Sequence, residues 1–150
     1  MARFFLDSSA LAKRYHLEAG SADVEKLFNT QGNRIFVSRL ALLEVQTCWA
    51  RLVRESVISA LDFGQLVKRF EKDVAIGALT VVALSGRHLE RGATIVGTHG
   101  LTQNMTLDVL HLATAQALNS RIRLAGFVAA DKKLLLVAST ALAFPIVSVG

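Results

Sequence analysis

The 150-residue chain has one cysteine, one proline, one tryptophan, one tyrosine and two methionines. A lone cysteine, Cys48, excludes an internal disulfide framework and a cysteine-based zinc site. It lies in an apolar helical stretch, Leu42-Leu43-Glu44-Val45-Gln46-Thr47-Cys48-Trp49, and reads as a packed core thiol rather than a nucleophile. Long apolar runs are lacking as well. The most membrane-like stretch, Leu134 to Val149, is shorter than the roughly 18 residues of a spanning helix, and Pro145 divides it. It reads as a core helix followed by a final strand. Asp7 interrupts the apolar start and no cleavage pattern follows, so no secretory signal is expected. The expectation is a soluble, cytoplasmic protein. The phosphate-cradling GxxxxGK loop, a GxGxxG after the first strand and the GxSxG nucleophile elbow do not occur, and His16, His88, His99 and His111 show no HExxH spacing.

Core-forming material is plentiful, with 52% hydrophobic and 19% charged residues, which argues against disorder and for one domain spanning 1–150. Lys and Arg number 17 against 12 Asp and Glu, a net +5 that suits a polyanionic partner but is shared by many soluble proteins.

Along the chain, strands alternate with helices. Phe4-Phe5-Leu6 is a short apolar run that reads as a buried strand. Asp7 ends it, and Ser8 or Ser9 can cap a helix running to His16. Ser21 to Asn29 reads as a helix, Arg34 to Val37 as a strand, and Ser38 caps a helix reaching about Arg54. Ser59 to Val74 is helical, Leu79 to Leu84 a strand, Ser85 to Val96 a helix and Thr98 to Gln103 a loop. Thr106 is the expected cap of a helix over Leu107 to Asn119. Gly126 to Ala129 is a strand, Asp131 to Ala141 a helix and Ile146 to Val149 a last strand. This alternation implies an α/β fold: a mostly parallel sheet with helices on both faces.

Eight of the acidic residues, Glu18, Asp23, Glu25, Glu55, Asp62, Glu71, Asp73 and Glu90, fit polar helix faces or helix ends. The other four stand in apolar surroundings. Asp7 follows Phe4-Phe5-Leu6; Glu44 has Leu40, Ala41 and Cys48 one turn away; Asp108 opens an apolar helix; and Asp131 follows Phe127-Val128-Ala129-Ala130. An ionised carboxylate is costly to desolvate unless paired or bound to a metal, and four close together repel one another. A hard divalent cation relieves both problems, and the chemistry that follows is attack on a phosphodiester by metal-activated water. The plainer alternative is that each acid is a separate cap or ion pair, which suits Asp7, Asp108 and Asp131 at helix N-termini better than it suits Glu44 in mid-helix. His111, three residues after Asp108, could orient it, although a packed, hydrogen-bonded histidine is the preferred reading. Lys13, Arg14, Arg39, Lys132 and Lys133 lie near the acids and could hold a phosphate backbone, while singly each reads better as solvated. Trp49 and Phe63 suit packing or partner contact.

The motifs together resemble a known family. Phe5-Leu6-Asp7-Ser8-Ser9-Ala10-Leu11-Ala12-Lys13-Arg14-Tyr15 is similar to the N-terminal motif of PIN-domain ribonucleases, particularly the VapC-type toxins of toxin–antitoxin pairs. Ser38 to Glu44, Leu107 to Ala115 and Phe127 to Leu134 resemble their second, third and fourth acidic motifs, in the same order and spacing. The resemblance implies a three-layer α/β/α PIN-like domain and a cleft binding Mg²⁺ or Mn²⁺. It implies metal-dependent endoribonuclease activity, a homodimer and a cognate VapB-like antitoxin. Asp7, Glu44, Asp108 and Asp131 would be the catalytic, metal-binding set, with Ser9 supporting the first aspartate. The segment from Gly100 to Thr106 is longer than the pattern expects and lacks its frequent basic residue, so the resemblance does not extend to the active-site rim or the RNA choice. The apolar faces around Leu11 and Trp49 are the candidate antitoxin surface.

The alternative is a PIN-like module that binds RNA or protein without cutting. A receiver-type phospho-acceptor domain wants two adjacent acids after the first strand, and a phosphatase wants Asp-x-Asp. Ser8 and Ser9 after Asp7 argue against both.

Overall fold

The structure, a computed structural model, describes residues 1–99 and 105–150. Its centre is β1 (Arg3–Leu6), which pairs in parallel with β2 (Arg34–Ser38) on one side and with β4 (Gly126–Ala129) on the other. β3 (Thr80–Val82) and β5 (Ile146–Ser148) form the edges, so the sheet runs β3-β2-β1-β4-β5 with every pair parallel. The chain leaves β1 toward β2 and β3, then returns to place β4 and β5 on the other side. The reversal puts a crevice at the carboxyl ends of β1 and β4, where open α/β sheets bind ligands.

Strand periodicity sorts the core into two halves. Phe5, Phe36 and Phe127 stand in register across the three central strands and share one face, with the Phe5 and Phe127 rings stacked 5.9 Å apart. Leu6, Val37 and Val128 fill the other. Helices α1 (Ser8–Ala12), α2 (Ser21–Asn29), α3 (Arg39–Arg54) and α4 (Ala60–Ala75) cover the Leu6 face. Helices α5 (Gly86–His99), α6 (Thr106–Asn119) and α7 (Lys132–Leu142) cover the Phe5 face. The three-layer α/β/α arrangement expected from the alternation is therefore present. No helix among the described residues is long and apolar enough to cross a membrane.

Several boundaries differ from the sequence reading. Asp7, not Ser8 or Ser9, caps α1: it is the single residue between β1 and α1, and its carboxylate accepts the Ala10 N–H. That helix stops at Ala12 rather than His16. Arg14 and Tyr15 donate back only three residues, to the Leu11 and Ala12 carbonyls, and this tighter turn carries Tyr15 into edge-on contact with Trp49 and Phe70. β3 is three residues long. Helix α5 continues through Thr98 and His99, which the reading placed in a loop. Thr106 is the first residue of α6 rather than its cap, and Met105, in the cap position, makes no side-chain capping bond. The rest of the expected loop, and most of the long segment before Asp108, lies outside the described residues.

Candidate active site

Asp7 and Asp131 arrive at the crevice from adjacent strands by short links. Asp7 is 2% exposed. Its Oδ1 accepts the Ala10 N–H at 2.8 Å, and the Ser9 hydroxyl donates to the carboxylate, 2.8 and 2.7 Å from its two oxygens. Ser9 Oγ in turn accepts the Ala130 N–H at 3.1 Å, tying the β1–α1 junction to the β4–α7 junction. Asp131 caps α7, with Oδ1 accepting from the Lys133 and Leu134 N–H groups at 2.7 and 3.2 Å, and it is exposed to solvent.

Glu44 comes from the covering layer. Ala41, Val45 and Trp49 form the buried stripe of α3, and Glu44 lies at its edge with its side chain 18% exposed. Its Oε2 is hydrogen-bonded to Nε2 of His111, which is wholly buried on α6 in the opposite layer. His111 is thus packed and hydrogen-bonded, as preferred from sequence, but its hydrogen-bond partners are Glu44 and Ser38 rather than Asp108. Asp108, in the first turn of α6, is half-buried.

The four carboxylates share one electrostatic field. Burial pushes Asp7 up to about 6, against the lowering effect of its Ala10 and Ser9 hydrogen bonds and of His111, and Asp108 adds to the rise. Asp108 is itself raised by burial and by the charges of Asp131 and Glu44, with His111 opposing. Asp108 is therefore the member coupled to each of the other three. They do not converge further: among the described residues no three His, Cys, Asp or Glu side chains are placed to hold a metal ion. The donor chemistry, four hard oxygen ligands of like charge with two raised pKa values, fits a divalent cation such as Mg²⁺ or Mn²⁺.

The family model described as PIN domain matches residues 4–139. The chain belongs to the PIN-domain family. PIN domains are generally nucleases, and in this one the four acids lie at or beside the sheet's carboxyl edge. Among solved structures, the chain is similar to VapBC2 from Rickettsia felis bound to a DNA fragment from their promoter. The TM-score is 0.61 at 15% identity, over 97% of this chain and 98% of that one. It is also similar to PAE2754 from Pyrobaculum aerophilum, with a TM-score of 0.57 at 18% identity, over 90% of this chain and 84% of that one. At such identities the likeness is one of fold. No curated protein matches the sequence.

Several residues sit otherwise than the sequence suggested. Lys13 is 8% exposed, donating to the Ala19 carbonyl at 2.6 Å, so it does not rim the crevice. Arg14 pairs with Glu25 and, at 3.4 Å, with Asp73. Asp73, read as a polar-face residue, is buried and accepts the Tyr15 hydroxyl at 3.0 Å; burial first, and the Asp73 charge and hydrogen bond with it, push that hydroxyl's pKa up. Arg39, Lys132 and Lys133 remain exposed beside the acids. Leu11 and Trp49 are fully buried and present no surface to a partner. Ser38, marked in the sequence only as a helix cap and a motif start, is also wholly buried, with its Oγ 2.9 Å from His111 Nδ1. Ser38 and His111 are 73 positions apart, and only their places on neighbouring elements bring them together.

Proposed function

We propose that this PIN domain, read as one unit over 1–150, is a metal-dependent endoribonuclease of the VapC toxin type. The observation that carries the reading is the position of Asp108, half-buried, its pKa raised by burial and by the charges of Asp131 and Glu44, while its own charge raises that of Asp7. Like charges gathered round a buried Asp7 and a half-buried Asp108 are costly to maintain unless a cation or a proton relieves them. Asp7, Glu44, Asp108 and Asp131 would hold Mg²⁺ or Mn²⁺. When bound, the ion supplies a Lewis acid for the phosphodiester and lowers the pKa of water. The chain's own groups do the holding. Ser9 and the Ala10 N–H fix Asp7, and the Lys133 and Leu134 N–H groups fix Asp131. Arg39, Lys132 and Lys133 give RNA phosphates a cationic border. The fold likeness to VapBC2 supports a cognate antitoxin partner; a homodimer and a cytoplasmic location belong to the same proposal.

A second reading, a PIN-like module that binds RNA or protein without cutting, draws on the acids' failure to converge on a metal position among the described residues. Melting the protein with and without Mn²⁺ separates the two. Under the nuclease reading Mn²⁺ raises the melting temperature of the wild type and not of Asp108→Asn. An identical melt with and without the ion in both proteins supports the binding module.

A further inference from the structure

Three hydrogen bonds run in series across the carboxyl edge of the sheet. The Ala41 N–H donates to Ser38 Oγ at 3.3 Å, Ser38 Oγ lies 2.9 Å from His111 Nδ1, and His111 Nε2 meets Glu44 Oε2. Ser38 Oγ accepts from Ala41 and can either donate to Nδ1 or accept from it, so in the neutral and in the protonated ring alike Nε2 carries the hydrogen that an acceptor-only carboxylate requires. Ser38 closes β2 and caps α3, Glu44 projects from α3, and His111 belongs to α6 on the other face of the sheet.

We infer that His111, oriented by Ser38, is the positioning residue for Glu44. The inference rests on the nuclease reading above and deepens it. Glu44 sits at the edge of its helix's buried stripe with several free torsions, and nothing local to α3 selects one of its rotamers. Ser38 and His111, both 0% exposed, have no such freedom, since each is packed and bonded on both sides. The imidazole holds Oε2, and Oε1 has no hydrogen-bond partner among the described residues and is left as the oxygen for a cation. The arrangement is the one in which a metal-binding carboxylate is oriented by a hydrogen bond from behind, a contact whose loss typically weakens metal affinity about 10–100-fold.

The test compares His111→Asn, His111→Gln and Asp7→Asn with wild type by Mn²⁺ calorimetry, with circular dichroism confirming the fold and long-range ¹H–¹⁵N spectra of the wild-type imidazole. A Gln amide nitrogen reaches the place of Nε2, whereas Asn reaches only that of Nδ1. The expected result is an Nε2-protonated ring, an Mn²⁺ affinity about 10–100-fold weaker in His111→Asn, and recovery of most of it in His111→Gln. A purely structural histidine predicts the same Mn²⁺ affinity in both folded variants, and that result overturns the inference. Mn²⁺ binding abolished by Asp7→Asn but unmoved by His111→Asn leaves the nuclease reading standing and removes this one. Failure of the wild type to bind Mn²⁺ removes both. If His111→Asn does not fold, the ring spectra decide: a ring protonated at Nδ1 alone contradicts the inference, and a ring protonated at Nε2 and shifted by Glu44→Gln supports it.

Discussion

Asp7 shows what a buried carboxylate costs the metal-free protein. Its folded pKa of about 6 lies above the ordinary value of 3.8, so between those limits the folded state binds more protons than the unfolded. Its contribution is fully present below about pH 4 and is lost as the pH rises through 6. Two units correspond to roughly 2–3 kcal/mol. Asp7→Asn keeps an oxygen for the Ala10 and Ser9 donors while removing the charge. Without metal it should therefore be more stable than wild type by about 1–2 kcal/mol at pH 7.5, and the gap should vanish near pH 4, as urea titrations at the two pH values would show. Equal stability at pH 7.5 would mean that Asp7 is not desolvated. At this scale the apolar run before Asp131 misled, since Asp131 is exposed, whereas the burial of Asp7 was legible in Phe4-Phe5-Leu6. The Glu44–His111 contact was not, because it joins positions 67 apart on different helices. Asp73 was misread for the same reason: its partners Arg14 and Tyr15 come from the far end of the sequence.

Element boundaries follow from caps and close approaches. Ser38 caps α3 where Ser before an amphipathic run foretold it, whereas Ser59, read as the first helical residue, instead forms a reciprocal capping box with Asp62 at the start of α4. The α1 boundary escaped because two serines following an aspartate offer three plausible caps, and only the link between β1 and α1 selects the first. Gly20 caps α2 with a φ of 84°, and a Cβ there would lie 2.6 Å from the Val149 carbonyl carbon. Gly20→Ala combines a left-handed backbone with a clash against the C-terminal strand's exit. It should cost about 2–4 kcal/mol in a denaturant melt. A loss below 0.5 kcal/mol would mean that the C-terminus does not pack on α2.

The whole molecule is a parallel sheet between two helical layers, an order readable from alternating strands and helices, whereas the strand order β3-β2-β1-β4-β5 had no counterpart in the sequence pattern. The layers also divide the basic residues by role. Arg14 serves the fold, so Arg14→Ala should leave Asp73 short of its cationic partner and cost about 3 kcal/mol by thermal melting. Lys132 and Lys133 face solvent beside Asp131, so replacing both with Ala should leave the melt unchanged. It should reduce the slope of log RNA affinity against log salt by about 0.7 per residue; an unaltered slope would place the RNA elsewhere. The claim joining these scales is that the four acids make a metal-dependent nuclease. Its most direct test is incubation of a mixed RNA pool with purified, antitoxin-free protein and Mg²⁺ or Mn²⁺, with an EDTA control and Asp7→Asn alongside. The account predicts cutting that requires the ion and is lost in the variant, whereas RNA left intact by folded wild-type protein, or cut equally well in EDTA, would contradict it.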